Sequence, residues 1–316
     1  MYLALLAVLA AVAPAAAAAP TWWRPKRFNK NGSLLRFNYQ LSDSGSITYV
    51  PGVQVYAIDF DTAKTAIPVL KKKNPAARVI CYFSAGSWED YRVAYDKSRR
   101  GIQPSDWGAT LGEDMEGWEG ERWVDVRSAA VRRIMVKRLK YCKSIGCDGV
   151  DPDNVNGHEN DSGFALTQSD LIKFNTFLAN TSHRLGMGIG LKNGLDMVGA
   201  LHRHFDWALN EECNVFGECD VYEKFAATKP IFGVEYCNAY AELGVDTPDP
   251  ACFCPRMIKA GYQFLFKRVD LGAAGISCTE YCAKYPAQCA AGAKKTGSCK
   301  APKTNMCSLV PSAPQL

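Results

Sequence analysis

The chain has 316 residues, of which 47% are hydrophobic and 22% are charged, and its formal net charge is +5. This length and apolar content suit one large domain with a buried core better than two ordinary domains. The basic residues are scattered along predicted helix faces rather than interleaved with aromatic residues, which argues against a nucleic-acid partner.

The first predicted element is an uncharged run rich in Leu, Val and Ala, residues 1–19, which ends in small residues. Such a run is typical of a cleaved export signal, although the usual basic start is missing. A membrane anchor is the alternative, but Pro14 and the Ala-rich end disfavour a stable spanning helix. No later stretch is long and apolar enough to span. We therefore expect a secreted, extracellular protein that does not associate with membranes after signal removal.

Eight apolar runs that end in polar or Gly-rich corners predict eight β-strands, at residues 36–41, 53–60, 78–85, 149–154, 188–193, 205–211, 230–237 and 263–267. Helical patterns lie at residues 62–73, 126–142, 166–185, 195–204 and 254–261, and Asp125 is placed to cap the second of them. This alternation predicts an α/β fold, a (β/α)8 TIM barrel over residues 20–276. A doubly wound nucleotide-binding sheet is less favoured, because no Gly-rich turn follows the first strand.

Two segments interrupt the alternation. Residues 87–122 follow the third strand, are rich in Trp, Asp, Glu and Gly, and are too long for an ordinary loop. We expect them to form a wall of a substrate cleft. The Cys-rich C-terminal tail, residues 277–316, is too short to own a hydrophobic core, so we expect disulfides to attach it to the barrel.

The chain contains 13 cysteines and only 4 histidines. Zinc is the rival to disulfides, but Cys252-Phe253-Cys254 lacks the two-residue gap of a zinc knuckle. The spacing and the predicted export favour several disulfides, with no metal and no other cofactor. An odd count leaves one thiol free or paired with another chain, and Cys81, inside a predicted strand, is the expected free thiol.

Two acidic clusters end the fourth and sixth predicted strands: Asp151-Pro152-Asp153-Asn154 and Asn210-Glu211-Glu212-Cys213. The two-residue period of a strand directs Asp151 and Asp153 toward the barrel axis. Helix caps or Asx turns are the alternative for such aspartates. Polar residues also follow other strands, however, and carboxylates at different strand tips can present an acid and a nucleophile across one pocket.

Several longer segments resemble the motifs of the endo-α-1,4-polygalactosaminidase family of glycoside hydrolases. They lie in the expected order between Trp22 and Cys237: Ile80-Cys81-Tyr82-Phe83-Ser84-Ala85-Gly86-Ser87, Gly117-Trp118-Glu119-Gly120-Glu121-Arg122-Trp123, Asp148-Gly149-Val150-Asp151-Pro152-Asp153-Asn154, Gly190-Leu191-Lys192-Asn193, Asn210-Glu211-Glu212-Cys213 and Val234-Glu235-Tyr236.

The resemblance implies a secreted (β/α)8 enzyme that cuts inside α-1,4-linked galactosamine polymers with one Asp and one Glu. Carried onto this chain, Asp153 is the nucleophile, with Asp151 as the competing choice, and Glu211 is the general acid/base. Glu211 is then expected in a drier setting than its partner, near Trp207 and Phe205. Related amino-sugar or galactose-containing glycans remain alternative polymers.

Further residues at the strand ends are candidates for substrate binding, and Asn154 stands beside the nucleophile. Lys192 and Asn193 could bind sugar hydroxyls, or Lys192 could pair with Asp151. Tyr82, Trp118 and Tyr236 could stack on pyranose rings, although such aromatic residues are more often core. Asp59 and Glu235 could meet a substrate ammonium.

Two other function classes are weighed against a hydrolase. A secreted carbohydrate-binding barrel without turnover would keep the cleft, and a disulfide-held wall or matrix protein would explain the tail but not the polar strand ends. The expected partner is a polysaccharide substrate, and the expected state is a monomer.

Overall fold

The computed structural model describes residues 20–42, 46–237, 249–294, 299 and 310. The predicted export signal lies outside the described residues. The strands are β1 (Phe37–Gln40), β2 (Val55–Asp59), β3 (Arg78–Ser84), β4 (Ser87–Glu89), β5 (Leu111–Asp114), β6 (Glu121–Val124), β7 (Gly149–Asp153), β8 (Gly188–Lys192), β9 (Trp207–Glu211), β10 (Ile231–Tyr236), β11 (Tyr262–Lys267) and β12 (Ile276–Ser277).

The helices alternate with the main strands. They are α1 (Phe60–Lys73), α2 (Val93–Tyr95), α3 (Ala129–Ile145), α4 (Gln168–Arg184), α5 (Val198–Leu201), α6 (Cys213–Phe216), α7 (Glu223–Ala226), α8 (Pro250–Ala260), α9 (Cys278–Lys284) and α10 (Pro286–Gly292). No helix within the described ranges is long and apolar enough to cross a bilayer.

Eight parallel strands follow one another in the order β1, β2, β3, β7, β8, β9, β10, β11, and β12 pairs antiparallel with β11. The predicted (β/α)8 barrel is confirmed, and each of its strands lies within two residues of its predicted bounds. Because neighbouring strands run in the same direction, their carboxyl ends share one rim of the barrel.

The start of α3 differs from the prediction, and the prediction that Asp125 caps this helix is wrong. Ser128 is the cap, and its side chain accepts a hydrogen bond from the Ala130 N–H at 3.1 Å. Asp125 accepts from the Arg127 N–H at 3.0 Å and from its guanidinium at 2.8 Å. This local turn uses the Asp125 carboxylate before the helix begins.

Trp207 fills the amino-terminal part of the barrel interior and is fully buried. Three glycines on the two preceding strands, Gly149, Gly188 and Gly190, make room for its indole ring. A Cβ atom on Gly190 would lie 2.1 Å from Trp207 Nε1, and one on Gly149 would lie 2.6 Å from Trp207 Cη2. The Trp207 indole therefore fits inside the barrel only because these three positions carry no side chain.

Residues 87–122, expected as a cleft wall, supply most of a small antiparallel sheet in the order β4, β6, β5, and its strand β6 continues to Val124. Buried ion pairs attach this inserted sheet to the barrel. Arg92 lies 2.5 Å from Asp59 and 2.6 Å from Glu89, while Arg138 of α3 lies 2.8 Å from Asp96. Removing one partner of such a buried pair typically costs about 3–5 kcal/mol, so the network constrains where the insertion sits.

Disulfides are present as expected, but the prediction of a free Cys81 is wrong. The described pairs are Cys81–Cys147, Cys213–Cys219, Cys252–Cys299, Cys254–Cys278 and Cys282–Cys289. Among the described cysteines the free thiol is Cys142, buried in α3. Cys81 lies near the loop before β7, where it meets Cys147 across neighbouring strands. The pairs from α8 to residues 278 and 299 attach the tail to the barrel.

We expect Gly190→Ala to lower the free energy of unfolding by about 1–3 kcal/mol, because its methyl group overlaps the Trp207 indole. Chemical denaturation measures this change. Gly199→Ala is the matched control, since nothing lies within 4 Å of its Cβ position and α5 is helical there. Equal stabilities of the two variants would contradict this packing account.

Candidate active site

Three charged side chains meet at the carboxyl ends of neighbouring strands β7, β8 and β9. Lys192 Nζ lies 3.0 Å from Asp153 Oδ1 and 2.9 Å from Glu211 Oε2. One ammonium therefore bridges both carboxylates. Since both oxygens contact the same nitrogen, the distance between them is shorter than roughly 6.5 Å, the smallest separation of the two carboxyl groups in inverting glycosidases.

Two tyrosines orient the remaining oxygens of this pair. The Tyr82 hydroxyl donates to Asp153 Oδ2 at 2.9 Å, and the Tyr236 hydroxyl makes a short hydrogen bond to Glu211 Oε1. Burial and the nearby carboxylates raise the pKa of both phenols, so both stay protonated.

Lys192 is itself buried, between the rings of Tyr39 and Tyr82, at 5.8 and 5.7 Å from the ring centroids. Burial alone would lower the pKa of Lys192, but the carboxylates of Asp153 and Glu211 outweigh it and raise the pKa well above its usual value. The side chain is therefore a fixed positive charge at the centre of the site.

Each of the three strands ends in a left-handed backbone turn. Asn154, Asn193 and Glu212 have φ angles of 57°, 46° and 70°, which non-glycine residues rarely adopt. Asn193 fixes the next strand tip, because its Oδ1 accepts from the Glu211 N–H at 2.9 Å. Strained residues directly after the charged side chains indicate a site held in place by its surroundings.

Asp151 lies deeper in the barrel and is fully buried. Within the described part of the chain, neither of its carboxyl oxygens has a hydrogen-bond partner. Burial, together with Asp153 and Glu211, raises the pKa of Asp151 to about 8 despite the opposing effect of Lys192. Asp151 is therefore a neutral acid at neutral pH, whereas Asp153 reaches solvent with 17% of its side chain exposed.

The model of glycoside-hydrolase family GH114 matches residues 12–283. The chain belongs to this family of endo-α-1,4-polygalactosaminidases and is a glycoside hydrolase. It is similar to the crystal structure of Aspergillus fumigatus Ega3 in complex with galactosamine, with 33% identity and a TM-score of 0.67. That match covers 82% of this chain and 98% of Ega3.

A more distant structure shares the fold of this GH114 chain. The glycoside hydrolase domain of PelA from Pseudomonas aeruginosa has 12% identity and a TM-score of 0.50, over 77% of this chain and 97% of that one. A search among curated proteins finds no match.

The structure brings together most of the residues predicted for the GH114 site. Asp151, Asp153, Lys192 and Glu211 share the barrel rim and the space just below it, and four of their predicted neighbours surround them: Tyr82, Asn154, Asn193 and Tyr236. Lys192 pairs with Asp153 and Glu211 rather than being directed at Asp151 alone. The two tyrosines contact the carboxylates through their hydroxyls.

Three predicted substrate-binding residues lie outside this group. Trp118 is 60% exposed on the turn between β5 and β6 of the inserted sheet. Asp59 caps α1 and pairs with Arg92. Glu235 lies on the opposite side of β10 from Tyr236, fully buried, where it accepts the Asn214 N–H at 3.0 Å. The two carboxylates are thus engaged inside the protein.

The expectation that Glu211 occupies a drier place than Asp153 is not met. The two side chains are similarly accessible, at 21% and 17%. Trp207 starts β9 and lies lower in the barrel, while Phe205 belongs to the outer core between strands and helices.

Two residues of the site were missed from the sequence. Tyr39 of β1 is buried beside Lys192, and Glu121 of β6 joins the surroundings of Asp153 through Ser87. The alternation of Phe37 and Tyr39 in the first strand could have indicated an inward tyrosine at its tip. The position of Glu121 depends on how the insertion folds back, which no local pattern reveals.

The raised pKa of Asp151 predicts a pH-dependent stability. In the unfolded chain an aspartate has a pKa of about 3.9, whereas the pKa of Asp151 in the folded protein is about 8. Between these values the folded state holds the extra proton, so its stability falls as pH rises, by at most about 1.4 kcal/mol per pH unit. We expect Asp151→Asn to lack this component when urea unfolding is followed from pH 5 to pH 8.

Asp161→Asn, an exposed aspartate on the loop after β7, is the control and should keep the wild-type slope. An Asp151→Asn slope identical to that of wild type would show that Asp151 is ionised in the folded protein.

Proposed function

We propose that this chain is a secreted enzyme that cleaves internal α-1,4 linkages of galactosamine polymers, with Asp153 as nucleophile and Glu211 as general acid/base. The observation that carries the proposal is the contact of both carboxylates with Lys192. A separation of about 5–5.5 Å between carboxyl groups is typical of enzymes that retain the anomeric configuration.

In the first step an Asp153 oxygen attacks the anomeric carbon, while Glu211 transfers its proton to the departing glycosidic oxygen. The Tyr236 hydroxyl can accept a hydrogen bond from a protonated Glu211 as well as donate one to the ionised form. In the second step Glu211 removes a proton from water, the water oxygen attacks the same carbon, and the bond to Asp153 breaks. Lys192 and Tyr82 place an ammonium and a hydroxyl donor against the Asp153 oxygens before attack and after its release.

The choice of a cationic sugar rests on the charges of the site. The carboxylates of Asp153 and Glu211 share a single ammonium, so added positive charge on the substrate is favoured. The 33% identical Ega3 was crystallised with galactosamine. Exposed Trp118 offers a stacking surface for a further sugar ring of a polymer.

Secretion is supported by the predicted export signal and by the disulfides, which form and persist in oxidising compartments. These disulfides cross-link the barrel and attach the tail to it, so the folded protein suits an extracellular environment.

Incubation with partially deacetylated α-1,4-galactosaminan, followed by sizing of the fragments, tests the activity. We expect medium-sized oligomers before monosaccharide, as internal cleavage requires. Asp153→Asn and Glu211→Gln should each lower kcat by about 10³-fold or more, because one loses the nucleophile and the other the proton donor.

Asp161→Asn and Glu113→Gln, both exposed, are the matched controls and should keep wild-type rates. Binding of the polymer without release of reducing ends would instead identify a carbohydrate-binding barrel. A rate near that of wild type in either active-site variant would contradict the catalytic assignment.

A further inference from the structure

Glu121 is a buried carboxyl group that the proposed reaction does not use. It lies on β6 of the inserted sheet, directly opposite Glu89 of β4. Two glutamates paired in this way repel each other when both are ionised. Glu89 is already paired with two buried arginines, Arg92 at 2.6 Å and Arg138 at 3.5 Å. Glu121 is therefore the member of the pair that gains from carrying a proton.

The hydrogen bonds between Glu121 and the site have a fixed direction. Ser84 Oγ accepts from the Ser87 N–H at 3.1 Å and from the Asn154 side-chain amide at 2.9 Å, which occupies both of its lone pairs. In its 2.5 Å contact with Ser87 Oγ, the Ser84 hydroxyl must therefore be the donor. The Ser87 hydroxyl in turn donates to Glu121 Oε2 at 2.7 Å.

The other oxygen of Glu121, Oε1, allows the hydrogen bonds to continue in the same donor-to-acceptor direction. The Tyr91 hydroxyl lies 2.6 Å from Glu89 Oε1 and 3.3 Å from Glu121 Oε1. A phenol carries one hydrogen, and the shorter contact to Glu89 takes it. A protonated Glu121 can then donate to the Tyr91 oxygen, so every hydrogen in the chain has an acceptor.

At its other end, this series of hydrogen bonds reaches the turn that holds Asp153. The Asn154 N–H donates to Asp153 Oδ1 at 2.8 Å, and the Asp153 carbonyl accepts from the Gly86 N–H at 3.1 Å. The packing is close, because a Cβ on Gly86 would lie 1.6 Å from the Asn154 carbonyl oxygen. Ser84 and Ser87 are both fully buried, so water does not replace these hydrogen bonds.

We propose that Glu121 is a positioning residue for Asp153, and that as a neutral acid it completes a directed hydrogen-bond chain from the Asn154 amide to Glu89. The inference rests on the proposed function, since it assigns a purpose to the placement of the nucleophile. Burial, with Glu89 and more weakly Asp153 adding to it, raises the pKa of Glu121 to about 7, while Ser87 and Tyr91 oppose the change. The protonated form is thus within reach at physiological pH.

The direct test compares Glu121→Gln with Glu121→Ala. The glutamine amide can accept from Ser87 and donate to Tyr91, so at pH 6 we expect kcat within about threefold of wild type. The alanine variant breaks the chain, and displacement of the nucleophile should lower kcat by about 10²-fold with a smaller change in KM. Glu116→Gln, at an exposed position on the turn between β5 and β6, is the control.

The pH profile separates positioning from a purely structural role. Above pH 7 an ionised Glu121 can no longer donate to Tyr91 and adds a negative charge beside those of Glu89 and Asp153. The ratio of Glu121→Gln to wild-type kcat should therefore rise between pH 6 and pH 8. A ratio independent of pH, or a glutamine variant as impaired as the alanine variant at pH 6, would overturn the proposal.

Ser87→Ala removes only the middle hydroxyl and keeps the proposal testable if Glu121→Ala does not fold. Its kcat should fall, with circular dichroism unchanged.

A second readout needs no substrate: in protein labelled with carbon-13 at glutamate carboxyls, one signal absent from Glu121→Gln should titrate near pH 7. If the wild-type protein is inactive but shows this titration, the result counts against the proposed function alone. If no such signal titrates near pH 7, the result counts against the role of Glu121.

Discussion

The site is organised around one buried positive charge. Lys192 contacts Asp153 and Glu211 at nearly equal distances, and these carboxylates come from the strands on either side of its own. Taking an ammonium out of water is unfavourable unless carboxylates and good geometry compensate for it. Here both are supplied by the rim of a parallel barrel, where adjacent strands deliver their last residues to the same place.

The rest of the structure holds that geometry still. Tyr82 and Tyr236 occupy the outer oxygens of the two carboxylates, and left-handed turns at Asn154 and Asn193 follow directly. Beneath them the fully buried Asp151 stays neutral, so the interior does not contain three negative charges around one ammonium. The inserted sheet, held by buried arginines, reaches Asp153 from the side. Groups held in this way need little reorganisation when charge develops in a reaction.

Much of this architecture follows from local patterns in the sequence. Apolar runs ending in polar corners were sufficient to place all eight barrel strands, and Asp151, Asp153, Lys192 and Glu211 were recognised at their tips. What failed depended on contacts between distant residues. Cys81 pairs with a cysteine 66 residues away, and no periodicity encodes that choice. The role of Glu121 likewise depends on the insertion folding back onto β3 and β7.

The helix start at Ser128 illustrates a different limit. Both Asp125 and Ser128 are good capping residues, and the choice is decided by Arg127, which engages the aspartate locally. Similarly, Tyr82 and Tyr236 were recognised as site residues by their positions. Their hydroxyl contacts with the carboxylates could be seen only after the strands were placed side by side.

The proposed reaction requires Asp153 and Glu211 to face each other closely enough for Asp153 to attack the sugar itself. Proton NMR of the first sugar ends released from an α-1,4-galactosaminan, recorded before mutarotation, distinguishes this attack from attack by water. The close pair predicts that the α-anomer forms first and converts to the β-anomer later. Initial formation of the β-anomer would mean that water attacks instead, and would contradict the assignment of Asp153 as nucleophile.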